Sequence, residues 1–226
     1  TRFSRALDFY LVQDFASSIE DLTQAILLDD SFFPAYFMRS LVRCKQLEYQ
    51  KAEEANAASA TPATLPGISA PQKSEVSVLD YDIVKSDLDH VITLAPDFVY
   101  AYYNRANVLA MLKDYRAAIA DYDKAIEFYK KTIEVDPNYA EAYSNLGLIY
   151  CLQAQDFSEK ATTDINDPKY KEDQATLKTF YEKAKPYYEK ARELKPDQKD
   201  LWLNGLYRVY YNLQMGPEFE EIEKLM

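Results

Sequence analysis

The chain has 226 residues, 48% of them hydrophobic and 28% charged, with 20 Tyr, one Trp and only four Gly. That length and apolar content can bury a sizeable core, and a Gly-poor composition rich in helix formers argues for helices over a sandwich or barrel. The formal net charge of −11 repels phosphate backbones and anionic lipid, which excludes nucleic acid as the expected partner and reads first as a solubility device. Two cysteines, Cys44 and Cys151, and one histidine, His90, are too few for a disulfide framework or a zinc site. No apolar run reaches the length of about 18 residues that spans a membrane. No signal peptide is read at the start. The chain opens on Thr1 rather than Met, so the expectation is a mature form or an excised piece, cytoplasmic or periplasmic.

In chain order, "FASSIEDLTQAILL" is an apolar-periodic helix that stops at Asp30. "FPAYFMRS" opens the next helix, and "EYQKAEEANAASA" continues it. "TPATLPGISAP" (residues 61–71) then carries three Pro and a Gly. That composition forbids helix and predicts a mobile loop. "YDIVKSDLDHVITL" returns to helix and closes at Pro96. "VYAYYNRA" and "YRAAIADYDKAIEF" are joined by a short turn at Lys113-Asp114, and the second of them runs on to Asp136-Pro137. "AEAYSNLG" follows, then "TTDINDPKYKEDQ", where Asp167-Pro168 reads as a turn into a long helix that Pro186 is expected to kink. After Pro196, "KDLWLNGL" leads to "GPEFEEIEKLM", a polar-faced cap with Pro217 in its first turn.

The four closing landmarks, Asp30, Pro96, Pro137 and Pro196, are 66, 41 and 59 residues apart. Around them the same pattern recurs. Small or compact residues stand at Ala6, Ser40, Ala106 and Gly147 in the first helices. Ser18, Val84, Ala118 and Ala184 occupy one register position of the second helices. Leu22, Leu88, Tyr122 and Tyr188 follow four residues later, and Ala25, Val91, Ala125 and Ala191 three after those. Aromatics at Tyr36, Tyr102, Tyr143 and Trp202 open the later units. This pattern resembles the tetratricopeptide repeat, a 34-residue helix–turn–helix unit in which small residues admit close helix approach and aromatics fill the gaps between pairs.

The resemblance implies an all-α, right-handed α-solenoid of antiparallel helix pairs, one domain over residues 1–226. Its units are 1–32, 33–98, 99–139, 140–198 and 199–226, the last with a capping helix, and further repeats are expected upstream. Against a 34-residue period, insertions fall near 47–78 and 158–178, and the second helix of the third unit is longer by seven residues. Seven residues are nearly two turns. Tyr122, Ala125, Ile126, Tyr129 and Ile133 therefore stay on one face. Leu65 and Asp167 are expected on the same edge. Cys44 and Cys151, two units apart, should lie beyond the disulfide reach of about 7 Å.

Chemistry is sparse. His90 reads as a surface residue, with no nucleophile or orienting partner to name. "DINDPKYKED" lacks the central Gly of a calcium loop, and the glycines form no phosphate loop. Asp87 and Asp89, two apart on a helix, do not face each other and read as a solvated face. The reading is therefore non-catalytic, with no metal and no cofactor. In the family, the first helices line a concave groove. On that register it holds Phe37 and Met38, then Tyr100, Tyr103, Asn104 and Asn107, then Asn145 and Leu148, then Asn204. A column of carboxamides can pair with the backbone of an extended peptide. The expected function is a protein–protein interaction scaffold that binds a peptide or protein in this groove. The alternatives are an envelope carbohydrate-binding protein with an aromatic inner face, or a self-associating assembly subunit. The carboxylate clamp of chaperone-adaptor repeats matches only at Asn107 and Asn145. Its basic slots hold Tyr103, Asp200 and Asn204, which cannot grip a carboxylate.

Overall fold

A computed structural model describes residues 1–60 and 78–226. The described residues form α-helices and one short 3₁₀ turn: α1 Arg2–Leu11, α2 Phe15–Leu28, α3 Phe33–Ala60, α4 Val78–Leu94, α5 Val99–Met111, α6 Tyr115–Val135, α7 Ala140–Ser158, α8 Tyr170–Leu194, α9 Leu203–Asn212 and α10 Gly216–Glu223, with the turn at Lys199–Leu201. The chain divides into two compact units, Thr1–Asp114 and Tyr115–Met226. Within the first, each helix packs on the next from α1 to α5, and within the second from α6 to α10. This neighbour-to-neighbour stacking is that of an all-α solenoid.

Two turn types repeat, and each has a local cause. After α2, α4, α6 and α8 the same hydrogen-bond series recurs: Asp29 N–H to Ala25 O, Ala95 to Val91, Asp136 to Thr132 and Lys195 to Ala191. In each case the residue three further on donates back to that capping residue: Phe32, Phe98, Tyr139 and Gln198. These four closures lie at the landmarks and carry their spacing. The second type closes α1, α5 and α9. Gln13, Lys113 and Gln214 sit at φ 63°, 62° and 56°. The next N–H reaches back five residues, from Asp14 to Phe9 O, Asp114 to Leu109 O and Met215 to Tyr210 O. That is the left-handed helix stop that usually employs Gly. α7 does not stop this way: the 159–169 connection leads from it into α8, while α3 runs on through Ala60. The loop expected at 61–71, Leu65 included, lies outside the described residues.

The repeat register accounts for the core. Ala6, Ser40, Ala106 and Gly147 are buried, as are Ser18, Val84, Ala118 and Ala184, and Leu22, Leu88, Tyr122 and Tyr188. Ser18 shows why a small polar residue is tolerated there: its hydroxyl donates to the Ala6 carbonyl at 2.8 Å, joining α2 to α1 in a buried contact. α6 is one helix of 21 residues. Its stripe holds phase, with Tyr122, Ala125, Ile126 and Tyr129 buried and Ile133 half-buried. α8 continues through Pro186 to Leu194.

One reading of the carboxylates is corrected. Asp87 is not solvated. It is 3% exposed, and its carboxylate takes two bonds from Arg39, at 3.0 and 2.6 Å, and one from Arg43, at 2.5 Å. Arg39 also donates to Thr23 Oγ1 at 3.0 Å, so one guanidinium ties α2, α3 and α4 together. Asp89, half-buried, bonds Lys85 on its own helix and Arg105 on α5. Asp21, in the equivalent place on α2, bonds Arg5 and Arg2. The Arg5 hydrogen bonds hold the Asp21 carboxyl below the ordinary range against the opposing effect of its burial. A charge this deep requires such pairing.

Candidate functional site

The first helices are two-faced. On α5, Ala101, Ala106, Val108 and Leu109 are buried, while Tyr100 is exposed and Tyr103, Asn104 and Asn107 are half-buried. On α7, Ala142, Leu146, Gly147, Ile149 and Tyr150 are buried, while Asn145 and Leu148 are half-buried. Asn204 on α9 is exposed. The groove residues named from sequence therefore fall on the less buried face of their helices. They divide between the units: Phe37, Met38, Tyr100, Tyr103, Asn104 and Asn107 in the first, and Asn145, Leu148 and Asn204 in the second.

These residues are not equally available. Phe37 stands edge-on to Phe98, with centroids 4.8 Å apart, and both Phe37 and Met38 are partly buried against the core that α1 to α5 share. Asn104 Nδ2 donates to the Tyr100 carbonyl one turn back, at 2.7 Å, which leaves its Oδ1 as an acceptor. Tyr100 leans on Phe98, 5.6 Å between centroids. In the second unit, Ser144, a neighbour of this face, bonds the Leu201 carbonyl at 2.6 Å and so ties α7 to the start of the last helix pair.

His90 is exposed, and its ring lies flat on Tyr36, 5.1 Å away and tilted by 4°. Its Nδ1 is 2.8 Å from the Ser86 carbonyl. Trp202 is 2% exposed and its indole N–H donates to the Lys195 carbonyl, so the single Trp is structural and presents no face to a sugar ring. Both thiols are unbridged. Burial pushes Cys44 up to about 11 and Cys151 up to about 12, and thiols so raised are poor nucleophiles near neutral pH.

A single buried polar atom among the described residues has no hydrogen-bond partner, Asp156 Oδ2 near the end of α7. The residue is 7% exposed. Burial raises its carboxyl above the ordinary range, and Lys160 one turn on only partly offsets this. A carboxyl raised on folding stabilises fully below its unfolded value of about 3.9, and that contribution is lost as pH rises through the folded value. At pH 7 the ionised group is thus a liability. Asp156→Asn is expected to gain about 0.5–1 kcal/mol at pH 7. This lies below the 1–3 kcal/mol of a fully desolvated acceptor because Lys160 compensates in part. The gain should shrink toward pH 4, as read by urea unfolding at both pH values.

Two family models match the chain. One described as tetratricopeptide repeat covers residues 99–127, and one described as TPR repeat covers residues 120–153. No match was found among curated proteins. Among solved structures, the chain is similar to the crystal structure of MamA, at 15% identity and a TM-score of 0.51, covering 97% of this chain and 90% of that one. It is similar also to MamA from residue 41 to its end from Desulfovibrio magneticus RS-1, at 13% identity and a TM-score of 0.51, covering 99% and 88%. A thermophilic TPR protein of Thermus thermophilus aligns at 14% identity and a TM-score of 0.41 over 94% and 97%. At such identities the first two likenesses speak to the fold alone.

Proposed function

We propose that this chain, which tetratricopeptide-repeat models match over residues 99–127 and 120–153, is a non-catalytic interaction scaffold that holds a peptide or protein against the open faces of its first helices. The observation that carries this reading is the asymmetry of α5 and α7. One face is packed with small and aliphatic residues, and the other keeps Tyr100, Tyr103, Asn104, Asn107 and Asn145 at least partly in solvent. Amides and phenols offer donors, acceptors and flat apolar area together, which suits the backbone and side chains of an extended segment.

The test separates binding from folding. Affinity capture from the native cell with the wild-type chain identifies the partner. Tyr103→Ala and Asn145→Ala should then weaken it at least tenfold, while Tm moves by no more than a degree or two. If both variants bind normally, the open faces are not the site. If Tyr103→Ala unfolds the protein, the assignment of faces on α5 is reversed.

A further inference from the structure

The second unit contains a cleft of about 400 Å³ that none of the groove residues named above lines. Its origin is a mismatch in helix length. α8 has 25 residues and α9 only 10, about 37 Å against 15 Å. Toward its C-terminal end α8 packs Tyr188 against α7 and α9. Toward its N-terminal end the same helix, through Gln174, Leu177, Lys178 and Tyr181, runs past the end of α9, and the wall opposite it is the α9–α10 turn with Leu213 and Gln214. Gln214 is the residue at φ 56°. It ends α9 there, and no residue of α10 lines the cleft. The insertion in the fourth helix pair thus builds a ledge that no helix of the described chain covers.

In a chain of net charge −11, no carboxylate lines this cleft. Its one charge is Lys178, engaged only loosely by Glu182 at 3.6 Å. The side chains of Gln174 and Gln214 are exposed and make no hydrogen bond among the described residues, while Tyr181 is half-buried and interacts with Cys151 and Arg208. Leu177 and Leu213 give it an apolar floor. The size falls in the range of about 300–1,000 Å³ typical of ligand clefts.

We infer that this cleft is a second partner site, which takes an extended peptide segment with uncharged or acidic side chains. Each carboxamide can pair with both a backbone N–H and a backbone C=O. The two leucines accept one apolar side chain. Lys178 and the absence of carboxylates admit an acidic group that the surrounding field repels. A sugar would want a second ring to stack on, and Tyr181 is the only aromatic in the lining. The inference rests on the reading of the chain as a peptide-binding scaffold, and it adds a site that this reading does not contain.

The probe is a phage-displayed library of random linear dodecapeptides selected on the full chain, with the winners synthesised and titrated by fluorescence anisotropy. The diagnostic variant combines Gln174→Ala, Lys178→Ala and Gln214→Gly, the last chosen because Gly suits a positive φ. These side chains are exposed, so circular dichroism and Tm should match wild type. A single substitution, Gln174→Ala, serves if the triple variant is unstable. The expected result is a class of peptides, neutral or acidic, that binds at least tenfold more weakly to the variant. Three outcomes overturn the inference: no peptide is selected, the variant binds every selected peptide as wild type does, or neutral oligosaccharides on an array show the cleft-dependent binding instead. Peptides that lose affinity with Tyr103→Ala and Asn145→Ala but not with the triple variant would leave the scaffold reading standing and remove only the cleft.

Discussion

Replacing Asp87 with Ala is expected to cost about 3–4 kcal/mol, a large fraction of the stability of an ordinary domain. The carboxylate is buried, and three charge-assisted bonds from Arg39 and Arg43 converge on it. Its removal leaves two guanidiniums with side-chain exposures of only 13% and 23%, close together and without a counter-charge. Their partial access to water keeps the cost toward the lower part of the 3–5 kcal/mol seen when one partner of a buried pair is lost. Arg39 is also the link to Thr23 on α2, so the damage should spread over α2, α3 and α4 rather than stay local. Arg39→Lys should cost less but still measurably, because an ammonium cannot reproduce the two-point contact. Urea unfolding of both variants gives the answer. A loss below about 1 kcal/mol for Asp87→Ala would place this cluster with ordinary surface pairs.

Gly205→Ala should also destabilise strongly, although Ala is intrinsically the better helix residue by roughly 0.5–1 kcal/mol. A Cβ built on Gly205 would stand 2.2 Å from Tyr188 Cζ and 2.3 Å from Cε1. A Cβ on Gly147 would stand 2.7 Å from Cδ2 and Cε2 of the same ring. The ring is 5% exposed and meets a glycine of α7 with one edge and a glycine of α9 with the other. It cannot move off one Cβ without driving into the opposing helix. The expected net loss is about 2–3 kcal/mol for Gly205→Ala, at the upper end of ordinary overpacking, and more for Gly147→Leu. Ala118→Leu, at a fully buried register position, belongs to the same class. A cycle with Tyr188→Leu checks the mechanism: with the ring gone, Gly205→Ala should cost little, and the coupling should exceed about 1 kcal/mol. Additive effects would mean that the crowding lies elsewhere.

These two cases mark where the sequence alone stops. The repeat was legible from local patterning. Small residues, aromatics and closing Asp or Pro recur in a register that specifies the helix pairs, and the seven-residue excess of α6 keeps its buried stripe in phase because it is nearly a whole number of turns. The less buried faces of α5 and α7 followed from the same register, since a helix that buries one side must present the other. Gly205 is one of four scattered glycines in the sequence, and nothing along the chain says that a ring from α8 will press on it. Asp21, Asp87 and Asp121 each precede the large residue of their second helix, a periodic signal in plain view. Whether such an Asp is solvated or buried depends on an Arg delivered by another helix, and for Asp87 that helix lies 44–48 residues away in sequence. The cleft beside α8 was equally out of reach. An insertion can be counted in sequence, but whether it lies flat, folds away or overhangs a shorter neighbour is decided by where α9 ends against α8. Periodicity carries what each helix wants to bury; only tertiary contact decides what meets it there and which stripe is left without a partner.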